Sequence, residues 1–200
     1  MDKKAMYNLT YGLFILTARD GEKDNGCIVN TVGQVTSSPN RIAVTVNKEN
    51  YTHDMIVKTG IFNVSILTEK SSFETYKHWG FQSGKEVNKA EGIDFYRSDN
   101  GLIFLGKETN AYLSAKVVST MDLGTHTMFL ADVTEAVVLS EIPSVTYQFY
   151  QDHIKPKPKP EKRKGFICTV CGYIYEGDIL PEDYICPICK HPASDFKPLS

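Results

Sequence analysis

Apolar positions in the first three quarters of the chain recur mostly with a period of two, in short runs rich in Val, Ile, Thr and Phe. The runs are Tyr11–Ala18, Cys27–Ser37, Arg41–Asn47, Phe62–Leu67, Tyr112–Thr120 and Thr127–Leu139, each bounded by Gly, Asn, Asp or Pro. Two stretches switch to helical spacing. Thr52–Thr59 places Met55, Ile56 and Thr59 on one side, and Ser72–Trp79 has Ser71 or Ser72 to cap it and Glu74 in its first turn. Many strands with two short helices and no alternating βαβ pattern predict a mainly β fold, a closed or nearly closed antiparallel barrel.

The pattern stops near residue 153. Ile154–Lys164 reads IKPKPKPEKRK. Alternating prolines forbid helix and strand and favour an extended spacer, reaching roughly 34 Å at about 3.1 Å per residue. Its six positive charges against one negative could steer acidic partners. Gly165–Ser200 is too short to fold on an apolar core alone. Three segments follow: a domain over 1–153, a linker over 154–164 and a small unit over 165–200.

Composition narrows the function. Of 200 residues 42% are hydrophobic and 23% charged, and the formal net charge is −2, so there is no nucleic-acid footprint. The first residues lack the apolar core of a signal peptide, and no run approaches a membrane span of about 18 apolar residues. Five cysteines, four of them at metal-ligand spacing, fit a reducing compartment, with the cytoplasm expected.

Those four are Cys168-x-x-Cys171 and Cys186-x-x-Cys189, two knuckles separated by 14 residues. Four thiolates suit one tetrahedral Zn or Fe ion. Spacing alone is equally compatible with a zinc ribbon that staples the fold. Phe166, Tyr173, Tyr175, Tyr184 and Phe196 favour iron, because an aromatic shell of low polarity tunes a redox potential. Gly172 lets the backbone turn its N–H groups toward sulfur. Cys-x-x-Cys-Gly-Tyr-x-Tyr with Cys-Pro-x-Cys and Asp195-Phe196 resembles rubredoxin, in the compact form that ends rubrerythrins. The resemblance implies one iron, cycling between ferric and ferrous, on Cys168, Cys171, Cys186 and Cys189. Lys190 stands where glycine is common, which puts one N–H to sulfur contact in question.

The first domain has no Gly-x-Gly-x-x-Gly after a strand, no phosphate-binding Walker loop and no visible nucleophile with its base. It has a polar stretch among apolar strands, Asn30–Pro39, and Asn47–His53 leading into a helix. A lysine, hydroxyls and N–H groups at a helix start can hold phosphate, although a capped helix with a solvated lysine explains that segment as well. The order of Gly12–Thr17, Asn30–Pro39, Val44–Thr52, Gly60–Leu67 and Gly124-Thr125-His126 resembles the flavin reductase-like family, an FMN-binding split β-barrel of Greek-key type. Trp79–Lys85 is similar to the flavoredoxin branch. The resemblance implies FMN in a groove at a homodimer interface. Asn30, Thr31 and Val32 would line the flavin ring, with Gln34 and Thr36 nearby, and Asn47, Lys48, Tyr51 and Thr52 would face the ribityl chain and phosphate. His126 matches a Gly-Asp-His turn near the reactive face, as a proton donor or a positioning group, with Thr125 replacing the acid. Trp79 and Phe81 are better explained as core than as a flavin cover, and Cys27 as a buried small residue.

A flavin takes two electrons at once and a one-iron site takes one, so the pair would form a two-to-one electron converter. The preferred function is an oxidoreductase passing electrons from NADH or NADPH through FMN to the iron. The domain order resembles high-molecular-weight rubredoxins of anaerobes, which implies a flavodiiron protein reducing O2 or NO, or a rubrerythrin-type peroxidase, as acceptor. The alternatives are an electron carrier reduced by a separate reductase and a zinc-stapled FMN-binding module.

Overall fold

The computed structural model describes residues 2–157 and 165–199. Most of the predicted linker, residues 158–164, lies outside them. The chain divides between Lys155 and Pro156 into two compact units.

The first unit is built on a seven-stranded antiparallel sheet. Its strands are β1 (Phe14–Asp20), β2 (Lys23–Val29), β3 (Gly33–Ser37), β4 (Asn40–Asn47), β5 (Ile61–Leu67), β8 (Thr109–Asp122) and β9 (His126–Val138). Their order is β2-β1-β5-β8-β9-β4-β3. The two end strands, β2 and β3, are not paired with each other, and Asn30–Val32 joins them directly. Four residue steps from Val29 to Gly33 span at most about 14 Å, so the sheet curls until its ends nearly meet. This is the split barrel. The run predicted as one strand, Cys27–Ser37, is therefore two strands with a crossing segment between them. β2 also begins earlier than its apolar pattern, at Lys23, because Asp24 and Asn25 are buried polar residues. A two-residue turn with Gly21 at φ +59° joins β1 to β2.

Along β4, Ile42, Val44 and Val46 point inward with Phe129, Leu16 and Phe62. Helix α1 (Tyr51–Thr59) adds Met55 and Ile56 to this core. Gly60 ends it at φ +72°, its N–H bonding Ile56 O at 2.8 Å, a left-handed stop that glycine adopts without strain. β5 is buried along most of its length on both faces. Its outer side, with that of β1, meets a second core of Leu13, Ile15, Leu67, Tyr76, Trp79 and Ile103. Helix α2 (Phe73–Gly80) supplies Tyr76 and Trp79. A further turn not foreseen in the sequence, α3 (Tyr147–Phe149) continuing to Ile154, supplies Tyr150.

Residues 81–108 form a long excursion over that outer face, with a small ribbon of β6 (Tyr96–Arg97) and β7 (Ile103–Phe104). Polar contacts pin it. Fully buried Asn63 donates to Ser98 Oγ at 2.7 Å and accepts from Asn100 Nδ2 at 2.8 Å. Thr17 Oγ1 donates to Ile103 O at 2.6 Å, and Leu105 N–H to Ser65 Oγ at 3.1 Å. Arg97 grips buried Asp24 with two bonds, of 3.1 and 2.6 Å.

The second unit is a three-stranded sheet, β11 (Ile174–Tyr175), β10 (Phe166–Cys168) and β12 (Phe196–Pro198), around Cys168, Cys186 and Phe196. Among the described residues, no helix is long and apolar enough to cross a membrane.

Removing the Asn63 amide would strand its buried partners. Asn63→Ala is expected to destabilise the barrel by about 2–3 kcal/mol in urea unfolding. Lys107→Ala, which breaks an exposed ion pair to Asp94, is expected to leave the midpoint unchanged.

Candidate functional site

The four predicted metal ligands converge. Cys168 Sγ lies 3.6 Å from Cys189 Sγ, Cys171 Sγ lies 3.5 Å from Cys186 Sγ, and all four sulfurs fall within 4.8 Å of one another. Metal–sulfur bonds of about 2.3 Å at tetrahedral angles put sulfurs roughly 3.8 Å apart, so the cage has the size for Fe or Zn. Its electrostatics call for a cation. The His191 N–H favours the Cys189 thiolate, yet burial and the three neighbouring cysteines together push that thiol up to about 12. Cys186 goes the other way: burial opposes its thiolate, and N–H bonds from Cys189 and Ile188 and the neighbouring thiols bring it down to about 6. Four sulfurs this close cannot all be thiolates until a metal shares their charge.

The two knuckles are built alike. Gly172 at φ +77° sends its N–H to Cys168 O at 2.9 Å, and Lys190 at φ +62° sends its N–H to Cys186 O at 3.0 Å. Tyr173 N–H then reaches the Cys171 sulfur and His191 N–H the Cys189 sulfur. Lys190 thus adopts the glycine conformation, and the N–H to sulfur contact stays in place. Tyr173, Tyr175, Tyr184 and Phe166 pack against the cage.

In the barrel, the segments flanking the split supply the residues expected at a flavin. Asn30–Val32 cross between β2 and β3. Thr31 Oγ1 donates to Thr45 O at 2.6 Å and accepts from Thr45 N at 3.1 Å, fastening the crossing to β4. Val32 packs on the inner core. Gln34 Nε2 donates to Asn40 Oδ1 at 3.0 Å, and Thr36 Oγ1 donates to Pro39 O. Asn47 lies opposite His126 in the β4–β9 ladder, and its Oδ1 accepts from Glu49 N at 2.9 Å. His126 Nδ1 sits 2.8 Å from Thr125 Oγ1, so a hydroxyl takes the position expected of an acid. Lys48 is not a free lysine at the helix start: its Nζ pairs with Asp122 at 2.7 Å. Tyr51 opens α1 with Lys23 Nζ 4.7 Å from its ring centre, and Thr52 is fully buried.

Tyr51 and Thr52 form one wall of a cleft of about 270 Å³ that also takes in Ser83 and Gly84 of the flavoredoxin-like stretch, together with Asn25 and Lys89, which the sequence reading did not single out. Lys89 is 3% exposed, and its Nζ donates to Gly26 O and Trp79 O, each at 2.9 Å. Burial lowers its pKa, and the nearby Cys27 partly restores it. Asn50 gives no side-chain cap to the first turn of α1. A Cβ on Gly84 would stand 2.0 Å from Asn25 Oδ1, so only glycine lets the loop come this close. Asn25 Oδ1 is buried without a hydrogen-bond partner. A buried ammonium and an uncapped helix start fit the phosphate end of FMN, whereas the orphaned Asn25 oxygen is an acceptor and would take a donor. A larger cleft, about 430 Å³ beside α2, is bordered by Glu74, Asp94 and Glu108, whose charges would repel a phosphate. Cys27, buried, has its thiol pushed up to about 11 and is a packing residue, as is Trp79. Phe81 is 63% exposed and does not belong to the core.

The single tryptophan, Trp79, sits in the barrel, so it reports on that unit alone. Stripping the metal with a chelator is expected to abolish amide-exchange protection over residues 166–198 and to leave Trp79 emission unchanged. A barrel that unfolds with the cage would contradict two independently folded units.

Comparison with known proteins gives a family for each unit. Residues 6–157 match the flavin reductase like domain, and residues 166–197 match the rubredoxin-like domain of rubrerythrin. The chain is 39% identical to the high molecular weight rubredoxin of Moorella thermoacetica, over 98% of this chain and 99% of that one. It is 37% identical to a ferric-chelate reductase (NAD(P)H) of Archaeoglobus fulgidus, over 80% of this chain and 93% of that one. The NADH:FAD oxidoreductase SgcE6 of Streptomyces globisporus superposes with a TM-score of 0.64 at 19% identity, covering 72% of this chain and 85% of the other, which shows the same barrel fold. The sulfur cage, the split barrel and the near full-length likeness place the chain in the flavin reductase-like family, with a rubredoxin-like metal unit at its C-terminal end.

Proposed function

We propose that the protein takes electrons from NADH or NADPH at an FMN held in the barrel and delivers them, one at a time, through an iron on Cys168, Cys171, Cys186 and Cys189 to a protein acceptor. One observation carries this reading: a four-sulfur cage sized for a tetrahedral metal, in a rubredoxin-like unit, belongs to the same chain as a flavin reductase-like barrel. When bound, FMN supplies the step between a two-electron hydride donor and a one-electron iron.

The residues divide the work. Asn30–Val32, held to β4 through the Thr31–Thr45 bonds, present backbone groups for the flavin ring. Gln34 and Thr36 shape the adjoining edge. Asn47 and His126, side by side across β4 and β9, flank the reacting face, where His126 Nε2 is the nitrogen placed to move or position a proton, since Thr125 engages Nδ1. Lys48, neutralised by Asp122, orders the turn before α1. Tyr51 and Thr52 hold the ribityl and phosphate end.

The site reads as half of a homodimeric one. β3 is exposed at every residue, Val35 included, although it carries predicted flavin contacts, and Val118, Met121 and Leu123 at the far end of the β8–β9 hairpin are exposed apolar residues. A second copy covering these strands would exclude water from the flavin. A flavodiiron protein or a rubrerythrin-type peroxidase in the cytoplasm is the acceptor that suits a one-electron iron donor. The high molecular weight rubredoxin relative supports the electron outlet and the NAD(P)H-dependent ferric-chelate reductase relative supports the donor.

Stopped-flow mixing of FMN-replete, iron-loaded protein with NADH or NADPH should bleach the flavin first and the ferric-thiolate absorption second. A flavin that neither nucleotide bleaches would make the protein a carrier fed by another reductase. One zinc per chain in protein from iron-replete cells would remove the electron outlet. His126→Asn should slow flavin reduction about tenfold or more with flavin content unchanged.

A further inference from the structure

Two residues hold the same place in the two metal knuckles. Gly172 follows Cys171 and Lys190 follows Cys189, and both take the left-handed backbone, at φ +77° and +62°. That conformation is free for glycine and costs any residue with a Cβ. The backbone bonds match as well. Each N–H returns to the carbonyl of the first cysteine of its knuckle, at 2.9 and 3.0 Å, and the next N–H, of Tyr173 or His191, reaches the second sulfur. The backbone therefore gains nothing from the lysine. A side chain kept at a cost where glycine would serve points to a use of that side chain.

The Lys190 side chain folds back over its own knuckle. Its Nζ donates to Pro187 O at 3.1 Å, and Pro187 lies between the ligands Cys186 and Cys189 in the chain. Lys190 is exposed, and among the described residues no carboxylate pairs with it, unlike Lys48 with Asp122 or Lys107 with Asp94. The ammonium thus brings an uncompensated positive charge to the edge of the cage. Over residues 165–200 five carboxylates face only two lysines, Lys190 and Lys197, so the rest of the unit disfavours added negative charge. Four thiolates around a ferric ion carry one net negative charge, and two once the iron is ferrous. A fixed cation beside the cage favours the second state, with one electron gained and no proton moved.

We propose that Lys190 is a potential-setting residue: its ammonium, held on the Cys186–Cys189 knuckle, raises the reduction potential of iron in the cage and makes that iron a readier acceptor of an electron from the flavin. This rests on the iron reading above, and the test separates the two. Full-length protein loaded with iron and FMN is titrated reductively with mediator dyes, following the ferric-thiolate absorption, with the flavin absorption as an internal reference. Lys190→Gln keeps the Cβ and the left-handed backbone and removes the charge. It should disfavour reduction of the iron about three- to tenfold, a fall of about 30–60 mV, and leave the flavin potential unchanged. Lys190→Gly should lower the iron potential as much, Lys190→Arg should stay within about twofold of the wild type, and the Lys190→Gln difference should shrink in about 1 M salt.

An iron potential unchanged in Lys190→Gln, or a shift in Lys190→Gly that Lys190→Gln does not share, would overturn the role of the charge. Should Lys190→Gln fail to hold iron, Lys190→Gly and Lys190→Arg decide: equal potentials in those two would overturn it. A wild type that takes up no iron would instead bring down the iron reading, and this inference with it.

Discussion

The contact on which most of the barrel depends is Trp79 against Gly26. A Cβ at Gly26 would stand 2.8 Å from the indole, so β2 can carry only glycine where α2 delivers its largest side chain. The contact closes the outer core over β1 and β5, both of which need cover on a second face. It also brings the carbonyls of Gly26 and Trp79 into reach of one ammonium, Lys89, which anchors the loop after α2 against β2. That loop forms a wall of the cleft at the start of α1. The same packing that completes the hydrophobic core therefore builds a polar recess beside it.

The parts of the molecule that were legible in the sequence are those that repeat a local rule. Strands with alternating apolar residues, the α1 and α2 positions, and above all the cysteine knuckles follow from neighbours a few residues apart. The cage could be read because four ligands and a turn residue after each pair specify a geometry by themselves. What escaped was set by distant partners. Asp24 and Asn25 read as a polar turn, yet they lie in a strand because Arg97 and Thr52, far along the chain, satisfy them. Lys89 carries no mark in the sequence, and only the fold encloses it with two carbonyls. Lys48 reads as a phosphate contact or a solvated lysine, and its pairing with Asp122, 74 residues away, is not visible in the pattern. Buried polar residues are legible only through their partners, and a linear pattern does not name those.

The two units are held together by different means. The barrel has two apolar cores and a pinned polar excursion. The C-terminal unit has almost no apolar interior, only aromatic rings around sulfur, and its cohesion is the charge balance between thiolates and a cation. Its stability and its redox state are thus properties of one site, whereas in the barrel the binding residues lie at the margins of a fold that stands without them.

The crossing Asn30–Val32 closes a sheet whose ends share no hydrogen bonds. A fully laddered barrel has a circumference fixed by its strand pairing. Here one seam is a covalent strap instead, fastened at Thr31 to a single residue of β4. The width of that seam is set by three residues and two hydrogen bonds, with no rung of the ladder across it. Of the strap's three residues Val32 packs on the inner core, so a change at Asn30 can reshape the seam while that core keeps its packing.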